Sequence, residues 1–453
     1  MQPVITPSEM AAVDAAADVP VSELIERAGW ATAREAVRLL GGTYGRRVTI
    51  IAGKGNNGAD GRVAGRLLAA RGVRVAVVPP GEQLPPSDLL IDAAFGTGIR
   101  GPWSVPEAPE APLVLAVDIP SGIDGDTGFD YGSLQADRTI TFAAFVPGLL
   151  LGAGAERAGT VIVDNLGLNT SGASAWLVDD GDLFAHLARN RRQRESHKWQ
   201  RGVAVVAGSA AMPGAGVLAA AAAMRAGAGI VVHGTPGRAA VGVVTTPEAV
   251  ARDLSDADWP TALITELTRF KALLIGPGLG TEEATLLGAQ KVLAGSYLPA
   301  VVDADGLAAV ANQPHLTASR SALTVLTPHD GEFRLLMGEL PSGDRMAAVR
   351  SAAAAYGCVV LLKGPTTLIA NPEGRVLVVT SGDPRLATAG SGDVLAGMIA
   401  ARLSAEASIE SVAAAAHWHG LIASVSGRQG LVASDLIEHL GDPVAGVREV
   451  SHD

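Results

Sequence analysis

The chain has 453 residues, with 46 acidic against 35 basic side chains, a formal net charge of −11 and 48% hydrophobic residues. That length points to two domains, and the acidic balance argues against nucleic-acid binding, because a duplex-binding protein needs a basic face to neutralise phosphates. One cysteine, Cys358, excludes an intrachain disulfide and a four-cysteine zinc site, while 55 glycines favour close helix–sheet packing and sharp turns.

In chain order, residues 1–20 carry Glu9, Asp14 and Asp18 and no basic stretch leading into an apolar run, so they do not read as a secretory signal. Val48-Thr49-Ile50-Ile51 is expected as a strand running into Gly53-Lys54-Gly55-Asn56-Asn57-Gly58, with a helix over residues 60–71 and a strand over 73–78. Leu89-Leu90-Ile91, residues 113–117, residues 139–142 and Val161-Ile162-Val163 continue the series. Short β-branched runs alternating with helices imply parallel strands covered on both faces. Around residues 169–196 the alternation lapses into loop-forming residues and the charge run Arg189-Asn190-Arg191-Arg192-Gln193-Arg194. The domain boundary is therefore placed at residue 190, giving domains 1–190 and 191–453.

The second half restarts the pattern. Strands are expected at residues 203–207, 230–232, 273–275, 301–302, 323–326 and 359–362, and residues 367–370 and 375–379 flank the hairpin signal Asn371-Pro372-Glu373-Gly374. Residues 392–403 and 409–425 read as helices. The most apolar segment, residues 215–232, is broken by Arg225 and reads as a buried helix and strand, because a membrane span needs ~20 mostly apolar residues. A soluble, cytoplasmic protein with no membrane and no nucleic-acid partner is expected.

Two glycine turns carry the chemistry. Gly390-Ser391-Gly392-Asp393 opens the helix beginning Val394-Leu395-Ala396, and the free N–H groups of a first helical turn make an anion site. Asp393 is badly placed as a phosphate ligand and well placed as a base taking a proton from an attacking hydroxyl; it equally suits a carboxylate that only complements the helix dipole. Spacing leaves both open. Lys363-Gly364-Pro365-Thr366-Thr367 and Gly276-Pro277-Gly278-Leu279-Gly280 follow other strands, and no Walker lysine pattern occurs. In the first half, Gly53, Gly55 and Gly58 match a dinucleotide fingerprint, but the next strand runs into Val78-Pro79-Pro80-Gly81 without the acid that would hold a ribose. Asn56, Asn57 and Asp60 follow the first strand, Asp92 and the loop Phe95-Gly96-Thr97-Gly98-Ile99-Arg100-Gly101-Pro102 follow another, and Asp118 leads into Ile119-Pro120-Ser121-Gly122. One aspartate after a strand is usually a cap, whereas two on one sheet edge beside asparagines and a glycine loop suggest a site.

Thr388-Ala389-Gly390-Ser391-Gly392-Asp393 resembles the anion-hole motif of the ribokinase-like superfamily. Ala207-Gly208-Ser209, Pro213-Gly214-Ala215, Gly276 to Gly280, Asp303-Ala304-Asp305, Thr327-Pro328-His329 and Lys363-Gly364 precede it in the order found in ADP-dependent NAD(P)H-hydrate dehydratases. Asp330 stands where that family usually has proline, and Ala389 where many members have glycine. Residues 1–165 resemble the NAD(P)H-hydrate epimerase domain through Asn56-Asn57-Gly58-Ala59-Asp60-Gly61 and Val117-Asp118-Ile119-Pro120-Ser121-Gly122, with Ala59 replacing a glycine. The resemblance implies a Rossmann-like, parallel, three-layer α/β domain followed by a ribokinase-like α/β/α domain.

It also implies a bifunctional repair of hydrated NADH and NADPH (NADHX and NADPHX): epimerisation first, then dehydration with ADP as co-substrate, giving AMP and phosphate. By resemblance, Lys363, Gly364, Pro365, Thr366, Thr367 and Gly392 would contact the nucleotide. Ala215, Gly278 and His329 would line the hydrated-nicotinamide site, with Asp393 as base. Asn56, Asn57, Gly58, Ala59 and Asp60, with Gly96, Thr97, Gly98, Ile99, Arg100, Gly101 and Pro102, would hold the epimerase substrate, and Asp118 would be its acid/base. Asn57, Asp92 and Ser121 would hold K+, and Mg2+ would neutralise the nucleotide phosphates; a homo-oligomer is expected. The rival expectation is a ribokinase-like small-molecule kinase with a non-catalytic nucleotide-binding N-terminal module. His417 and His419, two apart on one helix, are not expected to share a metal. Cys358 is expected as a small buried residue.

Overall fold

The computed structural model describes residues 1–99, 101–105 and 112–440. The chain forms two compact units, residues 2–176 and 177–453, Met1 clustering with the second. The division falls ahead of the expected boundary at residue 190. Its cause is the helix Asp180–Arg189, which packs on the helix Ile409–Val425, where His417 Nε2 lies 2.8 Å from Asp180 Oδ1.

In the first unit a short strand β1 (Gln2–Val4) precedes β2 (Arg47–Ala52), β3 (Arg74–Val78), β4 (Leu89–Ala93), β5 (Leu113–Val117), β6 (Arg138–Phe142) and β7 (Thr160–Asp164). Strands β2 to β7 pair in the order β3-β2-β4-β5-β6-β7, all parallel. Side chains alternate across a strand, so Val48, Ile50, Leu89, Ile91, Leu115, Val117 and Ile140 fall on one face. The helices Val21–Leu40 and Asn56–Ala69 cover that face with Ala31, Ala36, Leu40, Ala64 and Leu68. Ile51, Leu90 and Ala116 point the other way, under Leu84, Trp103 and Ala136. Each large aliphatic buried this way contributes about 1.5–3 kcal/mol. The helices approach closely because position 29 lacks a side chain: a Cβ on Gly29 would stand 2.3 Å from Val63 Cγ1.

The strand β8 (Ala175–Leu177) straddles the division between units. The second unit then builds β9 (Gly202–Val206), β10 (Ile230–Gly234), β11 (Val250–Arg252), β12 (Ala272–Ile275), β13 (Ala300–Val302), β14 (Thr324–Leu326), β15 (Val359–Leu362), β16 (Thr367–Ala370) and β17 (Val376–Val379). They pair in the order β17-β16-β15-β14-β13-β12-β9-β10-β11. All neighbours are parallel except the β15–β16 and β16–β17 pairs, the second being the expected hairpin. Helices Pro213–Arg225 and Ser391–Leu403 pack against each other through small residues; a Cβ on Gly397 would stand 2.2 Å from the Ala219 carbonyl oxygen. This contact is where the alanine- and glycine-rich composition is used.

Strand order reverses direction twice, at β2 (between β3 and β4) and at β9 (between β10 and β12). Loops leaving the carboxyl ends of strands diverge at such points and open a crevice. Both glycine turns of interest border one. Among the described residues no helix is long and apolar enough to cross a membrane.

Two candidate active sites

In the first unit the loops after β2, β4 and β5 surround a cavity of about 920 Å³. Asn56, Asn57, Asp60, Gly96, Thr97, Gly98, Ile99 and Asp118 line it with Gly53, Lys54 and Gly55. Gly58, Ala59, Gly101 and Pro102 do not line it, and Arg100 lies outside the described residues. The helix expected from residue 60 begins at Asn56, so the two asparagines belong to its first turn. The loops press together: a Cβ on Gly53 would stand 2.0 Å from the Ala94 oxygen, and one on Gly58 2.0 Å from the Gly53 oxygen.

Ala59 is half-buried in that helix and is absent from the non-glycine residues of positive φ. Its replacement of a glycine therefore carries no backbone strain. Gly58→Ala is expected to destabilise this unit by about 1–3 kcal/mol through overpacking and to collapse the cavity. Ala59→Gly should cost only about 1 kcal/mol of helix propensity. Thermal melting of the two variants checks this; equal effects would contradict it.

Asp118 occupies a left-handed conformation, φ 68°, a strained state for a non-glycine residue. It is held by its N–H donating to the Ile140 oxygen at 2.7 Å, and Thr141 Oγ1 lies 3.5 Å from Oδ1. Burial pushes its carboxyl up to about 6, against lowering hydrogen bonds from the Thr97 backbone and Thr141, with Asp14 pushing it further up. Burial, and then the charge of Asp118, push Asp60 up to about 8. Asp92 is fully buried, accepts the Ser121 N–H at 2.8 Å, and is raised by burial. Ser121 Oγ accepts the Phe95 N–H at 2.8 Å, and both amide atoms of Asn57 are buried without a partner.

The cavity has a second wall that the sequence reading missed: Met10 and Asp14 from the helix Pro7–Ala15, and Val21, Leu24, Ile25 and Ala28 from Val21–Leu40. The capping box at Thr6 and Glu9 and the amphipathic spacing of residues 21–40 were the available signals.

In the second unit Gly390 is the N-cap of Ser391–Leu403 at φ 87°, and a Cβ there would stand 2.5 Å from Leu218 Cδ1. Asp393 sits in the first turn of this helix. Burial and then Asp303 push its carboxyl up to about 7, against the lowering charge of Lys363. Lys363 Nζ lies 2.8 Å from Asp303 Oδ1 and 3.6 Å from Glu332 Oε2, and 3.5 Å from where a Gly392 Cβ would be. Asp303 Oδ1 also accepts Thr327 Oγ1 at 2.6 Å. Asp303 and Glu332 thus place Lys363 beside the anion site, a role that neither carboxylate's local sequence signals.

His329 caps the helix Asp330–Met337 through Nδ1 and is 61% exposed, with Glu332 accepting its backbone N–H at 2.8 Å. Asp330 pairs with Arg345 at 2.8 and 3.0 Å, and Arg345 donates to the Lys363 carbonyl at 3.0 Å. The aspartate that stands in place of proline therefore ties two loops of the site together. Gly208 N–H donates to the Pro277 oxygen at 2.7 Å, and Ala215 Cβ lies 2.7 Å from a Cβ built on Gly278, so the turns after β9 and β12 meet. Asp305 accepts the Gly280 N–H at 2.8 Å. His417 Nε2 is taken by Asp180 Oδ1 at 2.8 Å, and His419 is buried, its imidazole pushed down to about 4 by that burial. Cys358 is free and buried, its thiol pushed up to about 12 by burial.

Comparison with known proteins finds a family model for each unit. The family model described as NAD(P)H-hydrate dehydratase matches residues 203–443, and the one described as YjeF-related protein N-terminus matches 21–86 and 78–148. A bifunctional NAD(P)H-hydrate repair enzyme of Mycobacterium tuberculosis is 37% identical over 427 residues, covering 86% of each chain. One from Thermofilum pendens is 34% identical over 490 residues, covering 94% of this chain and 92% of its own. Among solved structures, a ribokinase-like superfamily protein from Enterococcus faecalis V583 aligns with a TM-score of 0.51 at 22% identity, over 61% of this chain and 96% of that one, which shows the shared fold.

Proposed function

The chain belongs to the bifunctional NAD(P)H-hydrate repair enzymes, and from that premise we propose that its two sites act in succession on hydrated NADH and NADPH. The first unit interconverts the two epimers at the hydroxyl-bearing ring carbon. The second transfers a phosphoryl group from ADP to the hydroxyl of the S epimer, and loss of phosphate and a ring proton returns NAD(P)H and AMP.

One observation carries the second step: Asp393, a partly buried carboxylate, stands in the first turn of a helix whose unpaired N–H groups suit an anion. Hydroxide leaves poorly, so the hydroxyl has to be phosphorylated before it departs. Asp393 takes the hydroxyl proton as the new P–O bond forms, and the first-turn N–H groups hold the charge that develops on the transferred phosphoryl. Lys363 to Thr367 and Gly392 contact the nucleotide, and Ala215, Gly278 and His329 hold the hydrated ring. Mg2+ supplies charge neutralisation on the nucleotide phosphates.

In the first unit Asn57, with an unpartnered buried amide, and Asp92, a buried carboxylate, suit a cation, and Ser121 lies against Asp92. These three would hold K+, which supplies positive charge for the substrate's phosphates. Asp118 moves the proton of the epimerising hydroxyl.

Incubation with an equal mixture of both epimers and ADP tests the whole reading. Complete recovery of reduced-nicotinamide absorbance with stoichiometric AMP is expected. A stable phosphorylated product would replace it with a kinase, and recovery that stops at half would leave the first unit without catalysis. For dehydration, kcat/KM should rise with pH through about 7, since Asp393 acts only when ionised. Lys363→Met should move that limb upward by removing the cation that favours the carboxylate; an unmoved limb contradicts the pairing.

A further inference from the structure

We propose that Asp60 is a second catalytic residue of the first unit, a proton donor working opposite Asp118. The inference rests on the epimerase reading of this cavity and goes beyond substrate holding. Asp60 is 7% exposed, lines the cavity, and its carboxyl makes no hydrogen bond or ion pair among the described residues. A buried carboxyl left without a protein partner and facing a ligand cavity is costly unless it serves the ligand. It lies on the helix after β2, whereas Asp118 follows β5 in a strained turn, so two carboxyls enter one cavity from different strand ends.

Among the described residues, the other ionisable groups lining the cavity are Asp14, Lys54 and Arg62. Arg62 donates to the Ala52 oxygen at 3.2 Å. Asp118, the lower of the two raised carboxyls, is the ionised member at neutral pH, and Asp60 is the protonated one. Environments that push two carboxyls apart divide them into base and acid.

The step balances. Asp118 takes the proton of the ring hydroxyl and the carbon–oxygen bond becomes a carbonyl. The adjacent carbon–nitrogen bond breaks with its electron pair going to nitrogen, and Asp60 delivers a proton there. The open aldehyde rotates and the nitrogen adds to its other face. Asp60 then recovers its proton from nitrogen and Asp118 returns one to oxygen, so both groups end as they began and no co-reactant is consumed.

The test follows exchange between separated epimers of hydrated NADH by the full chain without ADP, corrected for the uncatalysed rate. Wild-type exchange should show a bell-shaped kcat/KM profile, with limbs near 6 and 8. Asp60→Asn should lower kcat about 10²–10⁴-fold with little change in KM and erase the alkaline limb. Asp60→Glu should restore part of kcat and the limb. Matching melting temperatures establish that both variants are folded; if Asp60→Asn is not, the Asp60→Glu profile decides, with a retained alkaline limb supporting the proposal and a lost one overturning it. The proposal is also overturned if Asp60→Asn keeps kcat and raises only KM, or keeps the alkaline limb. No catalysed exchange by the wild-type chain would instead sink the epimerase reading itself.

Discussion

Asp393→Asn is expected to lower ADP-dependent recovery of NADH by about 10³-fold or more while epimer exchange continues at the wild-type rate. The magnitude is that of a lost general base, about 10²–10⁴-fold, in a site where phosphoryl transfer depends on positioning and charge. Asparagine keeps the shape of the side chain and its place in the first turn, so nucleotide binding should survive. Rates of AMP formation and of NADH return, measured together, check it; an active variant would falsify the role as base and leave Asp393 a dipole-complementing carboxylate.

The same variant carries a stability signature. Burial raises the folded-state carboxyl to about 7, above its ordinary value of about 4 in the unfolded chain. A raised acid contributes its full stability below the unfolded value and loses it as pH climbs through the folded one. Asp393→Asn should therefore melt above the wild type at pH 8, with the gap closing towards pH 4. A gap that does not depend on pH would mean that Asp393 is not destabilised in its ionised form.

Asp118→Asn should produce the reverse dissection. Exchange falls by about 10²–10⁴-fold, while dehydration of the S epimer keeps its rate. Given an equal mixture of epimers, recovery of NADH should be rapid and then stop at half, with the remainder following only the uncatalysed exchange. Wild-type recovery under the same conditions runs to completion. Recovery to completion at the wild-type rate in the variant would remove Asp118 from the mechanism. Its φ of 68° makes a second point. Asparagine tolerates the left-handed region, so the substitution tests the carboxylate and not the turn.

Strand positions were legible because β-branched runs between glycine turns are a local signal, and every expected strand formed. Other elements escaped that signal. The helix Val21–Leu40 carries alanine-rich spacing without a strand directly before it, and β1, β8 and β11 are three residues long. The helix after β2 started earlier than expected because asparagine favours caps, yet here the close contact of Gly58 with Gly53 draws Asn56 and Asn57 into the first turn. The boundary at residue 190 assumed that a charge run marks a linker, whereas the contact between Asp180 and His417 joins the preceding helix to the second unit.

By itself the sequence determined the α/β class, two units, and the turns that carry Asp118 and Asp393, because strand periodicity, glycine placement and helix starts are properties of neighbouring residues. Tertiary structure alone decided the company those aspartates keep. Asp60 and Asp14 join Asp118 across one cavity, and Asp303 and Glu332 bracket Lys363 beside Asp393. Proton affinity depends on burial and on charges brought close by the sheet order, and neither is encoded in the spacing along the chain.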